Sequence, residues 1–571
     1  MKKIYLFIAL TGLLGAGTTG CKKYLDINSD PDTVQDPSVS SVMPAMLGAM
    51  SYGVQRDGRY VSHYIANFGS YSSAASDATY DNHGYTFSST NSGDLWWMTY
   101  YSLGNNLNFM IEKGLKGNQY DYIGAAYALK AWAFQTLTDY SGEIIFTEAW
   151  KENTYYFHYD SQETVYHGID SLCRIALNYF TLASGMNNAT LKVGDYVYNG
   201  DIAKWRKFVY GILAHNYGHL TNKTGIFQAD SVIKYCDSSF ASVNDDFVVP
   251  FDATKNDNSN FWGTYRNNMG NYRQSNFIVR LLDGTALTGS NTNPANRDPR
   301  ISQMLCASSD TTNGNGGYYG VDPGVSEPYV SLNPPSSYLV NGQPPTSGTA
   351  LTNWKNARKK TCVPWGDSTY TNPSSAVFND GTGKYLFRNK AVMPIMTYAE
   401  LQFIKAEAAF KKGNTAVAYD AYIKGINAHF DFINRSYSAV RGALSLFNVN
   451  AISAGARSSY LASDNVKHAA GDLTISDIML QKYIALWGWG FIETWCDLRR
   501  YHYVTDLDPV TNQPVFRTYL LPAALGTTGK PVQRVRPNYQ SEYVWNLAEL
   551  TKLGATKSDY HTIECWFSKP Q

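Results

Sequence analysis

Two histidines four residues apart, His215 and His219, lie in a stretch of helical periodicity and would share one helix face, the spacing of a zinc-binding pair. Asn216 stands where the metalloprotease pattern carries its glutamate, so the general base is missing and the pair reads as helix-packing imidazoles. Carboxylates that could flank a glycosidic bond are Glu400 with Glu407, and Glu493 with Asp497. Glu400, however, closes Thr397-Tyr-Ala-Glu400, a capping box, and helical acids usually pair with nearby Arg or backbone groups. No catalytic residue is therefore expected. The segment Asp252 to Asn260 gathers oxygen donors that suit calcium but lacks the Gly at six and the Glu at twelve of an EF-hand. No cofactor is expected, with calcium at this loop kept open as an alternative. Nucleophile elbows and phosphate loops are missing, and Gly314-Asn-Gly316-Gly317-Tyr-Tyr-Gly320 has no apolar strand before it and no helix after it, so it reads as a loop.

Aromatic side chains offer different chemistry. The chain holds 44 Tyr, 25 Phe and 13 Trp, 14% of its residues, and Tyr and Trp present a flat apolar face with a polar tip that suits interfaces and sugar rings. Aromatics on helical stripes are core, so loop aromatics are the better ligand candidates. On that ground Tyr71, Trp96, Trp97, Trp262, Tyr265 and Tyr272, with Arg273, are the expected ligand contacts. Trp96 and Trp97 begin the run Trp-Trp-Met-Thr-Tyr-Tyr, where a helix start should turn at least one of them inward.

The elements that must carry these residues are mostly helices. Ile123, Tyr127, Ala131, Phe134 and Leu137 form one stripe stopped by Gly142; Asp201 to Leu220 and Ala229 to Phe240 make a further pair. Tyr398 to Lys412 and Thr415 to Ile433, turned by Gly413-Asn414, resemble a tetratricopeptide hairpin, with Ala418-x-x-x-Tyr422 in the second helix. A last helical stretch runs from Ile475 to about Arg500 with Gly488 and Gly490 inside it. Between these blocks, Gly284 to Thr382 holds 10 of the 21 prolines and 11 glycines, together with Tyr318, Tyr319, Tyr329, Tyr338, Trp354 and Trp365. Its aromatics argue against plain disorder.

The amino terminus reads as an address. Lys2 and Lys3, apolar Ile4 to Leu14 and small Thr18-Thr19-Gly20 form a lipoprotein signal peptide over residues 1–20, cut before a lipidated Cys21. The 11-residue apolar run is too short to span a bilayer. Removing Lys2 and Lys3 from 48 Lys+Arg leaves 46 against 47 Asp+Glu, a formal charge of −1, which excludes a basic field for nucleic acid. Of the other cysteines, Cys173, Cys236 and Cys496 are expected as buried thiols, whereas Cys306 and Cys362 flank loop sequence that would let them pair in an oxidising envelope.

Six stretches taken in order resemble the SusD/RagB family: Cys21-Lys-Lys-Tyr-Leu-Asp-Ile-Asn; Leu137-Thr-Asp-Tyr-Ser-Gly-Glu-Ile-Ile-Phe-Thr-Glu-Ala149; Tyr198-Asn-Gly-Asp-Ile-Ala-Lys-Trp205; Arg297-Asp-Pro-Arg300; Met396-Thr-Tyr-Ala-Glu400 with Ala406-Glu-Ala408; and Trp495-Cys-Asp-Leu-Arg-Arg500. Departures are the missing proline in Glu143-Ile-Ile-Phe, the histidines 215 and 219 in place of arginines, and Lys22-Lys23 in place of an acidic run after the cysteine. The resemblance implies an all-α, mostly helical fold in which four tetratricopeptide-like pairs form a scaffold and long irregular loops carry the ligand site. One such domain would cover residues 21–571, with a loop-rich insertion at about 284–382. It further implies a non-enzymatic, lipid-anchored protein of the outer membrane, facing the cell exterior, that captures oligosaccharide and delivers it to a SusC-like TonB-dependent transporter. The alternatives are a peptide-binding member of the same family, a secreted glycoside hydrolase, and a scaffold that binds only protein.

Overall fold

The computed structural model describes residues 36–85, 93–186, 190–289, 297–307, 314–325, 339–343, 345–357, 363–364, 385–439, 442–445 and 451–570. Cys21 and the leader, Cys362, Tyr329, Tyr338 and Trp365 lie outside them. The fold is about 51% helical. Ten helices carry the argument: α1 (Val39–Tyr64), α2 (Asn105–Gly117), α3 (Tyr120–Ser141), α4 (Gln162–Ala183), α5 (Ile202–Gly218), α6 (Ala229–Ser238), α7 (Tyr398–Lys411), α8 (Thr415–Asn434), α9 (Ile475–Leu486) and α10 (Phe491–Arg500). None of the described helices is long and apolar enough to cross a membrane.

Local chemistry sets their ends. Ser38, Ser161 and Asp201 cap α1, α4 and α5 by accepting from a backbone N–H three residues on, and Thr397 with Glu400 forms the expected reciprocal box at the start of α7. Just before α5, the Asp195 carboxylate accepts from the amides of Val197, Tyr198 and Gly200 and from Trp205 Nε1. That explains why Tyr198-Asn-Gly-Asp leads into a helix anchored by a buried tryptophan. The 475–500 stretch departs from expectation: it is two helices, because Gly488 adopts φ +85 and the chain turns between α9 and α10.

Helices pack in pairs, α3 on α4, α5 on α6, α7 on α8 and α9 on α10, with α7 also against α6 and α9. The approach of α7 and α8 is close because Gly425 lies against the Phe403 ring, where a Cβ would stand 2.8 Å from the ring edge. One hydrophobic core extends through the pairs from Val39 to Phe567. Strands are short and antiparallel: β1 (Phe68–Ser70) with β3 (Tyr272–Gln274), and β2 (Phe247–Pro250) with β4 (Val392–Met396). Described parts of the 284–382 segment fold back on this body. Tyr318 and Val321 are buried, and Val321 bridges Ser275. Cys306 is buried, and Cys173, Cys236, Cys496 and Cys565 are buried free thiols.

Candidate functional site

Asp94, Trp97 and Tyr101 are spaced three and four apart, so a helix puts them on one face. Their short helix, Asp94–Trp97, is held at its start by Asp57 of α1, whose Oδ2 accepts from Leu95 N at 2.8 Å. Burial, with Asp94 close by, pushes the Asp57 carboxyl up to about 8. The chain then winds into a π-helical turn, Met98–Gly104, and Trp150 lies directly against Gly104 while donating from Nε1 to Tyr100 O at 2.8 Å. This winding divides the aromatic run. Trp96 faces inward onto Tyr100 and Tyr159, and Trp97 faces out, its ring 4.4 Å from that of Tyr101.

The outer face continues across α1. Arg56 pairs with Asp94 at 3.0 Å and lies over the Tyr52 ring at 5.2 Å, and Arg266 lies over the same ring at 5.7 Å. Arg59 and Arg266 also cover Phe261, at 5.3 and 5.8 Å. The result is a ridge of Tyr101, Trp97, Asp94, Arg56, Tyr52 and Arg266. Trp97 is 56% exposed, Tyr101 63% and Tyr52 38%, and Tyr265, next in sequence to Arg266, is 58% exposed. Flat open rings beside guanidinium donors and a carboxylate acceptor can stack on the apolar face of a ring-shaped polar ligand and hydrogen-bond its hydroxyls.

Of the residues expected to contact ligand, Trp97 and Tyr265 present free faces and Tyr71 is half-buried beneath the Arg273 guanidinium, 5.5 Å from its ring. Trp96, Trp262, Tyr272 and Arg273 are enclosed. Trp262 donates from Nε1 to Gln55 O and stacks on Phe387, Tyr272 donates to Asp77 Oδ2 at 2.5 Å, and Arg273 donates to Gly270 O and Tyr272 O. A stretch that reads as loop does not leave these side chains free: Trp96 is on the inner side of its short helix, Trp262 packs on Phe387 and Phe491, and Tyr272 and Arg273 lie in β3, paired with β1. Sequence reasoning missed Tyr101, Tyr52, Arg56 and Arg266, although Tyr101, four residues after Trp97, was findable from helical spacing. Cys21 lies outside the described residues. In the candidate calcium loop, Asp252 Oδ1 is turned onto Thr254, accepting from its N–H and hydroxyl.

The histidines and carboxylates meet in the centre of the scaffold. His219 Nε2 is 2.7 Å from Glu493 Oε2, and its Nδ1 faces Tyr166 and Asp139. Burial pulls its pKa down, but Asp139 and Glu493 outweigh that and hold the imidazolium at about 10. Lys482 donates to Glu493 at 2.6 Å and to Asp497 at 2.9 Å, and Arg500 clamps Glu407 and Asp497. Glu400 is pushed well up, first by burial and then by Glu493, and burial lowers His215 to about 4. The carboxylates weighed for glycosidic chemistry thus tie α3, α5, α7, α9 and α10 together, and both histidines are buried beside them.

No curated protein matches the chain. Its fold is similar to a SusD/RagB family protein from Bacteroides thetaiotaomicron VPI-5482, at TM-score 0.64 and 20% identity, over 94% of this chain and 100% of that one. It is similar as well to a SusD homolog from Bacteroides fragilis NCTC 9343, at TM-score 0.63 and 18% identity, over 93% and 100%. A chitin-binding SusD homolog from Flavobacterium johnsoniae matches at TM-score 0.60 and 17% identity, over 93% and 99%. A SusD-like family model described as starch-binding and associating with the outer membrane covers residues 31–514. Spanning the helix pairs, the exposed ridge and the ion-paired centre alike, that match means the chain belongs to the SusD-like family of non-catalytic, outer-membrane-associated binding proteins.

Proposed function

We propose that this chain is a lipid-anchored glycan-binding protein that captures oligosaccharide on the Trp97–Tyr101 ridge and delivers it to a TonB-dependent β-barrel transporter. The observation that carries the reading is the paired, solvent-facing rings of Trp97 and Tyr101 next to Arg56 and Asp94. Membership of a family described as starch-binding and the likeness to a chitin-binding homolog support the ligand class. The leader and Cys21 support the anchor, and the family's association with the outer membrane supports the location and a SusC-like partner. Tyr71 and Tyr265 are further contacts in this reading, whereas Trp96, Trp262, Tyr272 and Arg273 are buried and serve the packing.

Isothermal titration of purified protein against starch- and chitin-derived oligosaccharides and a peptide panel tests the reading. Sugar heats without product release are expected. Heats from peptides alone would move the chain to the peptide-binding alternative, and sustained release of shortened glycan would contradict a binding role.

A further inference from the structure

His215 is a buried side chain at the edge of the ion-paired centre. It is 8% exposed, and its Nε2 has no hydrogen-bond partner. A buried, unsatisfied ring nitrogen costs free energy unless something occupies it. His219, one turn on, has both nitrogens engaged by Tyr166 and Glu493. Donor atoms of His215, Glu400 and Glu493 lie within 4.8 Å of one another, and Nε2 of His215 is 3.4 Å from Oε1 of Glu400. A tetrahedral ion with bonds of about 2.0 to 2.1 Å holds its ligands about 3.4 Å apart. The same three residues line a cavity of about 60 Å³ that Trp132, Gln135 and Trp489 help to wall. That is room for a water molecule in a fourth position.

We propose that His215, Glu400 and Glu493 form a site for one divalent transition-metal ion of the zinc type, completed by water from this cavity. An imidazole nitrogen with two carboxylates favours zinc-like ions over calcium, which takes oxygen ligands in larger number. Glu493 keeps Lys482 on Oε1 and His219 on Oε2, and each of its oxygens has a second lone pair for the ion. Glu400 uses Oε2 for the Thr397 amide, which leaves Oε1 to the metal. Charge points the same way. The carboxyls of Glu400 and Glu493 stand within 4.8 Å of the imidazole and of each other, and a divalent ion between them would offset their mutual repulsion. Binding would fasten α5, α7 and α10 to one another.

The test uses the full chain without an affinity tag, stripped by chelator and titrated with Zn²⁺ and Co²⁺. One zinc per chain is expected, with a cobalt visible spectrum of a tetrahedral nitrogen and oxygen site and a higher melting temperature when loaded. His215→Gln and Glu400→Gln should each weaken zinc binding about tenfold or more while circular dichroism keeps its helical form, and exposed His167→Ala should not change it. Unchanged affinity in folded His215→Gln overturns the proposal. If neither variant folds, the wild type decides: sub-stoichiometric zinc, or melting that zinc does not shift, overturns it equally.

Discussion

Trp97 and Trp262 were alike as loop tryptophans, and their surroundings in the fold make opposite predictions for them. Trp262 is 1% exposed, so Trp262→Ala should leave a cavity and cost about 3 to 5 kcal/mol of stability, measured by denaturant unfolding. Trp97→Ala removes an exposed ring and should change stability by less than about 0.5 kcal/mol. Asp57 gives a second residue-scale test. Its folded pKa of about 8 stands above the ordinary 3.8, so the native state holds a proton that the unfolded chain releases. Its burial therefore weakens the fold progressively as pH rises from about 4 to 8, and Asp57→Asn should flatten that part of the stability profile, read as melting temperature against pH. Residue types could announce aromatic recognition, but the inward or outward sense of each ring depended on a π-helical turn and on tertiary packing such as Trp262 against Phe387, which no local spacing encodes.

At the scale of elements, helix periodicity and capping were legible because both are local: Thr397 and Glu400 close α7 as their spacing requires, and Gly142 ends α3 with φ +85. The α9/α10 break was not, since apolar residues run through it while Trp487 leaves helical geometry and Gly488 takes a positive φ. The ion-paired centre also escaped the sequence reading, because Asp139, His219, Lys482 and Glu493 come from four separate helices. Lys482→Met should test how much that centre matters. It removes the cation that Glu493 and Asp497 share, leaving them His219 and Arg500, and removing one partner of a buried pair costs about 3 to 5 kcal/mol. A loss under about 1 kcal/mol by chemical denaturation would mean that the helices hold together without it.

For the whole molecule, the composition that excluded nucleic acid also shapes how ligand should bind. A chain with 48 Lys+Arg and 47 Asp+Glu has no large electrostatic term, so capture must rest on stacking and hydrogen bonds and depend little on salt. The proposed lipid anchor is tested by growth with radiolabelled palmitate, which should label the wild type and not Cys21→Ala, and the proposed transporter partner by gentle detergent extraction, which should bring down a β-barrel in near-equal amount. The most direct test of glycan capture is the affinity of the best oligosaccharide from the panel for wild type and for Trp97→Ala with Tyr101→Ala, at low and high salt. The double variant should lose about 1 to 3 kcal/mol, roughly five- to 150-fold in Kd, with the wild-type value nearly unchanged by salt. Equal affinity in a folded double variant would contradict the ridge as the site of capture.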